Sequence, residues 1–527
     1  MLSTVYNPNW ENESLRWQQY DQEVSHQTNK KVYELIVNNL GEPARLKPYF
    51  PAIITGISNL LEDNSDPDSA VQITAALGVW PERWGYGAAW ETQVRQALDC
   101  AEKAGKRLQP QRSALLATLA EMLYFSSKLE AAKTLAREAI RLARITRSPE
   151  TLSLGMKTEI AVRWLETEAI PIQEEIQAFE SELEQWGIPD TDIQRYSICL
   201  KIMHVLILRS NGEVNLARDT AWQLVELIQQ IDKVDVHFIA DCYQICGVME
   251  WANGRMAEAQ KSYEKAAELY TRAGASTMMA YIDANLSLAL LSQGRLVEGS
   301  EASLRSIELN AKINNPIRYV NAYGLLGMSY YLAGRFKEAA DIFKRQIKLA
   351  AKTGNSRSHH LAIDNKFSLM VMQGKYQQAV PGLLKSLEYY KTIKSKERQL
   401  GIEIDLLLCY KAQNDFAQAE FYASSIENLL ASGGLERNIV VAQRAISFCR
   451  PPSEARKRLE SAYNLAVQSG YLLEQAACLL LLTVHTADPT EKLSLWEKAA
   501  SLCQTCGASA WLKGRSVEDP PFLPFII

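Results

Sequence analysis

The chain has 527 residues, 47% of them hydrophobic and 22% charged, and a formal net charge of −4 at pH 7, which is ordinary globular composition. Lysine and arginine are interspersed with acids, which excludes a general nucleic-acid binder built on a basic patch. The longest apolar run, 476–484, is far shorter than the ~20 residues a membrane span needs. The opening MLSTVYNPNWENESL lacks a basic and an apolar leader region, so no secretory signal is expected. Nine cysteines, an odd number without a framework of spacings, predict reduced thiols in a cytoplasmic protein, most of them small core residues.

Residues 1–66 are the least regular. Trp10, Trp17 and Tyr20 lie on a polar segment, and helices are expected over 30–40 and 51–61 on either side of Gly41-Glu42-Pro43. The run Asp63-Asn64-Ser65-Asp66-Pro67 is a break, with Asp66 poised to start the next helix. This stretch is expected to be an N-terminal helical cap, polar on its outer face as terminal repeats require. Residues 68–106 carry Trp80, Trp84 and Trp90, then Ala97 and Ala101. Residues 113–147 read as a helical hairpin turning at Ser127, with Ala120, Ala132, Ala136 and Ala139 at packing positions. Over 151–187 two helices break near Ile170-Pro171, and 196–231 returns to pattern with Gly212, Ala217 and Leu224.

From Gly254 the chain repeats. GRMAEA at 254–259 recurs as GRLVEG at 294–299, GRFKEA at 334–339, GKYQQA at 374–379 and NDFAQA at 414–419, an unbroken period of forty. Self-similarity at such a period marks stacked supersecondary units. In the first copy, Ile239, Tyr243, Cys246, Gly247 and Met249 recur at helical spacing over 237–252. Asn253-Gly254 stops that helix, and Ala259, Tyr263, Ala266 and Tyr270 stripe a second one over 257–271. Gly247 and Ala259 are expected to face each other where the two helices cross, because a large side chain at either would push them apart. After 419 the pattern loosens, with turns at Pro451-Pro452-Ser453 and Asp488-Pro489-Thr490.

Gly247, Ala259, Tyr263 and Ala266 resemble the tetratricopeptide signature of a small residue, an alanine, an aromatic and an alanine at fixed places. Gly327, Ala339 and Phe343 match again, and Gln346 departs; Ser287, Gly299, Ser303 and Ser306 make the copy between them weaker. The forty-residue unit is longer than the common length of about 34, the extra residues sitting in joints such as Asn314-Asn315-Pro316 and Gly354-Asn355-Ser356. This long form resembles the repeat arrays of signal-transduction ATPases of the maltose-regulon-activator type. Trp80, Trp84 and Trp90 resemble the first repeat after the ATPase module of that family; the alternative is an aromatic-rich hairpin and nothing more. The resemblance implies an all-α, right-handed superhelical solenoid of helix-turn-helix repeats. The expected division is a cap over 1–66, a solenoid of roughly eleven hairpins over 67–512, most regular over 236–430, and an extended tail over 513–527.

In that family the first helix of each hairpin lines a concave wall. Projected here, the wall holds Asp241, Gln244, Val248 and Trp251, then Tyr281, Ala284, Leu288 and Leu291. It continues with Asn321, Gly324, Met328 and Tyr331, and with Leu361, Asp364, Ser368 and Val371. Gln244, Val248, Trp251, Leu288, Met328, Tyr331, Asp364 and Ser368 are the expected partner-binding residues. Exposed aromatics there would suit a binding surface; a tightly closed array would bury them. The Lys and Asn of the family's chaperone-binding carboxylate clamp are absent, the slots holding Gln244/Val248, Gly324/Met328 and Asp364/Ser368.

No catalytic residue, cofactor site or metal site is expected. GxxxxGK[ST], H-E-x-x-H and G-x-S-x-G do not occur, so the ATPase module of the resembled family is missing. His359 and His360 are adjacent and so point about 100° apart on a helix. Cys503-Gln504-Thr505-Cys506 lacks the second pair a zinc site needs. Glu174-Glu175 and the acids at 180, 182 and 184 read as solvated helix faces. The tail residues Phe522, Leu523, Phe525, Ile526 and Ile527 are expected either to pack on the last hairpin or to dock a partner. The expected function is a non-enzymatic, cytoplasmic interaction scaffold that takes a peptide or partner domain on its wall, without direct nucleic-acid or membrane binding. The alternative is a ligand-responsive sensor acting on a separate effector.

Overall fold

The computed structural model describes residues 31, 34, 36, 38–39, 43–62, 66–166, 170–231, 234–313, 316–353, 356–393, 395–431 and 436–524. Trp10, Trp17, Tyr20, His26, most of the expected 30–40 helix, the joints at 314–315 and 354–355, and the tail residues Phe525, Ile526 and Ile527 lie outside them. The described chain is an all-α array of tetratricopeptide-like helical hairpins. It divides into two compact units. The first comprises residues through Tyr124, Lys128–Glu159 and Arg272–Ala275; the second comprises Phe125–Ser127, Ile160–Thr271 and Ser276–Ile527.

In the first unit Asp66 caps the Pro67–Leu77 helix, accepting from the Ser69 backbone N–H at 3.2 Å. The tryptophan-rich stretch forms two helices, Trp80–Trp84 and Gly87–Ala104. Its aromatics are core: Phe50 meets Trp84 and Trp90 edge-on, each at 5.7 Å between ring centroids. Trp90 is fully enclosed, and its indole N–H donates to the Gly78 carbonyl at 2.7 Å.

The five regular hairpins of the second unit begin with Val236–Ala252 and Met256–Arg272 and end with Lys396–Ala412 and Phe416–Ala431. Each first helix stops on a residue in the left-handed region: Gly254 (φ 75°), Gly294 (83°), Gly334 (77°), Gly374 (74°) and Asn414 (60°). Asparagine is among the few L-residues that take this conformation at small cost. The Arg255 N–H then reaches back to the Glu250 carbonyl at 2.9 Å, and Arg335 to Tyr330 at 2.8 Å. These bonds satisfy carbonyls that a helix end leaves open.

The residue opposing Gly247 is Tyr263 rather than the expected Ala259. A Cβ on Gly247 would lie 2.5 Å from the Tyr263 ring, and one on Gly327 would overlap Phe343. The signature aromatic is thus the knob, and the glycine is the hole. In the weaker copy both members change together. Ser287 and Ser303 sit 2.7 Å apart, and Ser287 also donates to the Gly299 carbonyl at 2.8 Å. In the fourth copy the sides are exchanged: Phe367 on the first helix fills the space above Gly382 on the second. Gln346 is tolerated for the same reason. It is buried against Gly324, where a Cβ would be 2.5 Å from its amide nitrogen, and its carbonyl accepts from Asn365 at 3.0 Å.

The second unit also folds its C-terminus back on itself. The Leu472–Val484 helix is buried at every position from Leu473 to Thr483. Its leucines share one core with Leu291, Tyr331 and Phe343, and with partly buried Leu288 and Met328. Cys506 abuts the Gly294 turn, and the Trp511 indole donates to the Leu332 carbonyl at 2.8 Å. The tail is not extended throughout, since Ser516 and Asp519 pair across a tight turn. Beyond it Leu523 is buried. Arg444, at 0% exposure, donates to the Leu523 and Pro524 carbonyls at 3.1 and 3.4 Å, pairs with Glu474 at 3.3 Å and lies over the Phe522 ring.

Two outcomes follow from this packing. Gly327→Ala gains helix propensity of about 1 kcal/mol yet overpacks the crossing at a cost of about 1–3 kcal/mol; urea unfolding should give net destabilisation, relieved in Gly327→Ala/Phe343→Leu. Removal of residues 519–527 takes two carbonyls and the Phe522 ring from a buried guanidinium. The melting temperature should fall, by the equivalent of about 3 kcal/mol; an unchanged value would mean that the tail contributes no packing.

Candidate binding notch on the repeat wall

The projected wall residues separate into four groups. Trp251 and Tyr331 are buried at 7% and 1% exposure; Trp251 donates to Ser292 Oγ at 3.1 Å in the next hairpin, and Arg209 lies over its ring. Leu288, with Met328 on one side, joins the core made by the returning C-terminus. Gln244 and Val248 are half-buried, and the Tyr270 hydroxyl donates to Asp241 at 2.5 Å while lying 2.7 Å from Gln244 Oε1. Arg209 also pairs with Glu397, in the Lys396–Ala412 helix, at 3.7 Å.

Asp364, Ser368 and Met328 meet at a cavity of about 40 Å³ shared with Leu361, Asn365, Arg398, Gly401, Ile402 and Asp405. They come from the Pro316–Leu332, Ser356–Met372 and Lys396–Ala412 helices. Gly401, one of the lining residues, holds the slot that Tyr281 fills three periods earlier. Tyr390, the counterpart of Tyr270, donates to Asp364 Oδ2 at 2.5 Å. The other oxygen, Oδ1, has no hydrogen-bond partner although Asp364 is only 7% exposed. Ser368 donates to Asp405 Oδ2 at 2.6 Å, and Asp405 is 2% exposed.

Burial dominates the electrostatics. It pushes the Asp405 carboxyl up to about 7; the Ser368 hydrogen bond opposes this and the Asp364 charge adds to it. Burial also raises Asp364, against hydrogen bonds from Ser386 and Tyr390 and the charge of Arg398. A larger hollow of about 530 Å³ is lined by Lys457, Glu460, Ser461, Asn464, Leu465 and Gln468, all from the single Pro452–Gln468 helix. It is an open surface groove without convergent chemistry.

The remaining polar candidates are structural. Cys503 and Cys506 are buried in the C-terminal core, and burial pushes both thiols up to about 12, where the reactive thiolate is scarce. Cys242 and Cys246 are buried and raised in the same way. His360 stacks on Tyr389 at 3.7 Å, and burial lowers its pKa. Among the described residues no group of three His, Cys, Asp or Glu side chains could hold a metal ion, and no helix is long and apolar enough to cross a membrane.

No protein-family model matches the chain, and no curated protein matches it. Solved structures are similar to it at low identity. A Rap protein complexed with competence and sporulation factor is 11% identical, over 72% of this chain and 97% of that one, at a TM-score of 0.49. Aspartyl phosphate phosphatase F from Bacillus subtilis is 15% identical, over 68% and 94%, at 0.45. A signal-transduction ATPase with a tetratricopeptide-repeat sensor from Pyrococcus horikoshii is 14% identical, over 80% and 73%, at 0.37. With all three scores below 0.5, what those proteins bind is not carried over to this chain.

The raised Asp405 carboxyl fixes a pH dependence. Between about pH 4, its ordinary value, and about 7 the folded chain holds a proton that the unfolded chain has released, so stability falls as pH rises through that window. Tyr331 and Cys409 also face Asp405, and both stay protonated there. Asp405→Asn removes this titration. Its melting temperature relative to the parent should be higher at pH 8 than at pH 4.5, and a constant difference would refute the assignment.

Proposed function

We propose that this chain is a non-enzymatic interaction protein that engages a short segment of a peptide or protein partner at the Asp364–Asp405 notch. The observation that carries the reading is the coincidence of a cavity with an unpartnered buried carboxylate oxygen on the projected wall. Trp251, Leu288 and Tyr331 on the same face meet the next hairpin or the chain's own C-terminus. A buried acceptor without a donor costs about 1–3 kcal/mol, and a partner that brings a donor recovers it. Repeat arrays use this face for binding because it gathers one side chain from each of several rigid helices. The absence of nucleophile–base pairs and phosphate-cradling loops from the sequence supports a binding role over a catalytic one.

A regulator that changes shape on binding is the second reading. It is supported by the tail, which lies as a short segment over Arg444 and shares a core with wall residues. In that reading a partner at the notch shifts the balance between docked and released C-terminus, since a ligand moves an equilibrium only by binding one state better.

Peptides selected from a random display library on the full chain test both readings. Ser368→Leu fills the notch, and its fold is checked by circular dichroism. Fluorescence anisotropy should give at least tenfold weaker binding to the variant, equivalent to about 1.4 kcal/mol; equal binding would sink the notch as the site. An unchanged radius of gyration in the complex would favour the scaffold, and a change would favour the regulator.

A further inference from the structure

The chemistry around the notch narrows what can enter it. Two carboxylates, Asp364 and Asp405, face it together with one guanidinium, Arg398. With both acids ionised, one negative charge is left over. The Tyr390 and Ser368 hydroxyls already donate inward, while Asp364 Oδ1 accepts nothing. The deficit is therefore one positive charge and at least one donor.

Chemistry narrows the choice of cation. The space is small, about 40 Å³ for the centre of a water-sized sphere, room for about three waters. A hydrated metal ion would have to shed most of its shell with too few protein oxygens to replace it. An –NH₃⁺ head fits: it is compact and carries three donors on one charge. Met328, Leu361 and Ile402 line the same opening and offer apolar surface to a methylene stem, the division of labour that long amine side chains favour.

We infer that the notch between Asp364 and Asp405 is a primary-ammonium site, taking the Lys side chain or the free N-terminus of a bound segment. The site rests on the reading that the notch is a binding site, and it names the group that binds. Its contacts are an ammonium hydrogen to Asp364 Oδ1, a second to the Asp405 carboxylate, and the stem against Met328. The Arg398 charge offsets part of the Asp364 charge and limits the preference to a monocation.

The test uses the full chain at pH 8, where Asp405 is ionised, with n-butylammonium chloride as probe. Tetramethylammonium carries the charge without donors, and n-butanol carries the stem without the charge. Thermal unfolding should shift upward with n-butylammonium and not with the other two. The dissociation constant should weaken roughly tenfold in Asp364→Asn, which keeps the shape and the acceptor for Tyr390 but loses the charge. If Asp364→Asn does not fold, Ser368→Leu serves as the blocked variant and should abolish the shift. Equal shifts for butylammonium and tetramethylammonium, or a butylammonium shift that survives both variants, would overturn the assignment, as would a notch that holds water alone and gives no shift. Two tetrapeptide probes separate the sources: tetra-alanine amide with a free N-terminus, and an N-acetylated peptide with one internal lysine. Selected peptides that bind through the notch without any amine would overturn the ammonium site while leaving the interaction role intact.

Discussion

Two helices in a hairpin can approach closely only where a bulky side chain on one meets an empty place on the other. That single steric condition organises the second unit. Tyr263 lies in the space that Gly247 leaves, and Phe343 in that of Gly327. What recurs along the chain is the close crossing, and the residues that make it vary. Ser287 with Ser303 meets the condition with two small groups joined by a hydrogen bond, and Phe367 with Gly382 meets it with the roles reversed. Close packing at organic-crystal density leaves little slack in such a site, so the two members must change together.

An array of this kind has the difficulty of its ends, where a hairpin lacks the neighbour that would cover its apolar face. At the C-terminal side the chain supplies its own cover. The Leu472–Val484 helix is largely apolar, and a helix of that character is stable only when enclosed. The helices on either side of it in sequence cover most of it, and Leu291, Tyr331 and Phe343, well over a hundred residues earlier in the chain, belong to the same core. Arg444 secures the last described residues through their backbone carbonyls, which asks for an extended segment and little for its side chains. The fully buried guanidinium is tolerable because Glu474 supplies the opposite charge and those two carbonyls accept hydrogen bonds from it.

The hairpins were legible in the sequence because helix periodicity and turn residues are local properties. Gly254, Gly294, Gly334, Gly374 and Asn414 mark the turns without any knowledge of neighbours. The wall's register was legible too, since a fixed period carries a position from copy to copy, and it placed Asp364, Ser368 and Met328 on one face. Its occupancy was not legible, because it depends on a contact between Leu291 and the leucines after Leu472, about 180 residues apart. A signal for it existed: the run 476–484 is too apolar for a half-exposed helix and too short for a membrane, which leaves only a site enclosed by protein. Asp405 and Arg398 escaped the projection for a different reason. They sit outside the inward slots carried over from shorter repeats, and they line the notch beside Gly401.

The comparison of two equivalent tyrosines carries the functional argument furthest. Tyr270 and Tyr390 hold the same place in hairpins three periods apart, and both direct a hydroxyl at an acid on the first helix. Around Tyr270 the acid is Asp241, half-buried, with Gln244 beside it. Around Tyr390 the acid is Asp364, more deeply buried, joined by a second carboxylate and facing an open space. Stability alone would favour the opposite arrangement, since replacing buried charges by apolar groups of similar volume is often neutral or stabilising. A pair of desolvated acids beside an unfilled space is therefore an energetic liability for the isolated chain. It becomes an asset in the presence of something that brings positive charge and hydrogen-bond donors to that place, which is the physical ground of the binding site proposed there.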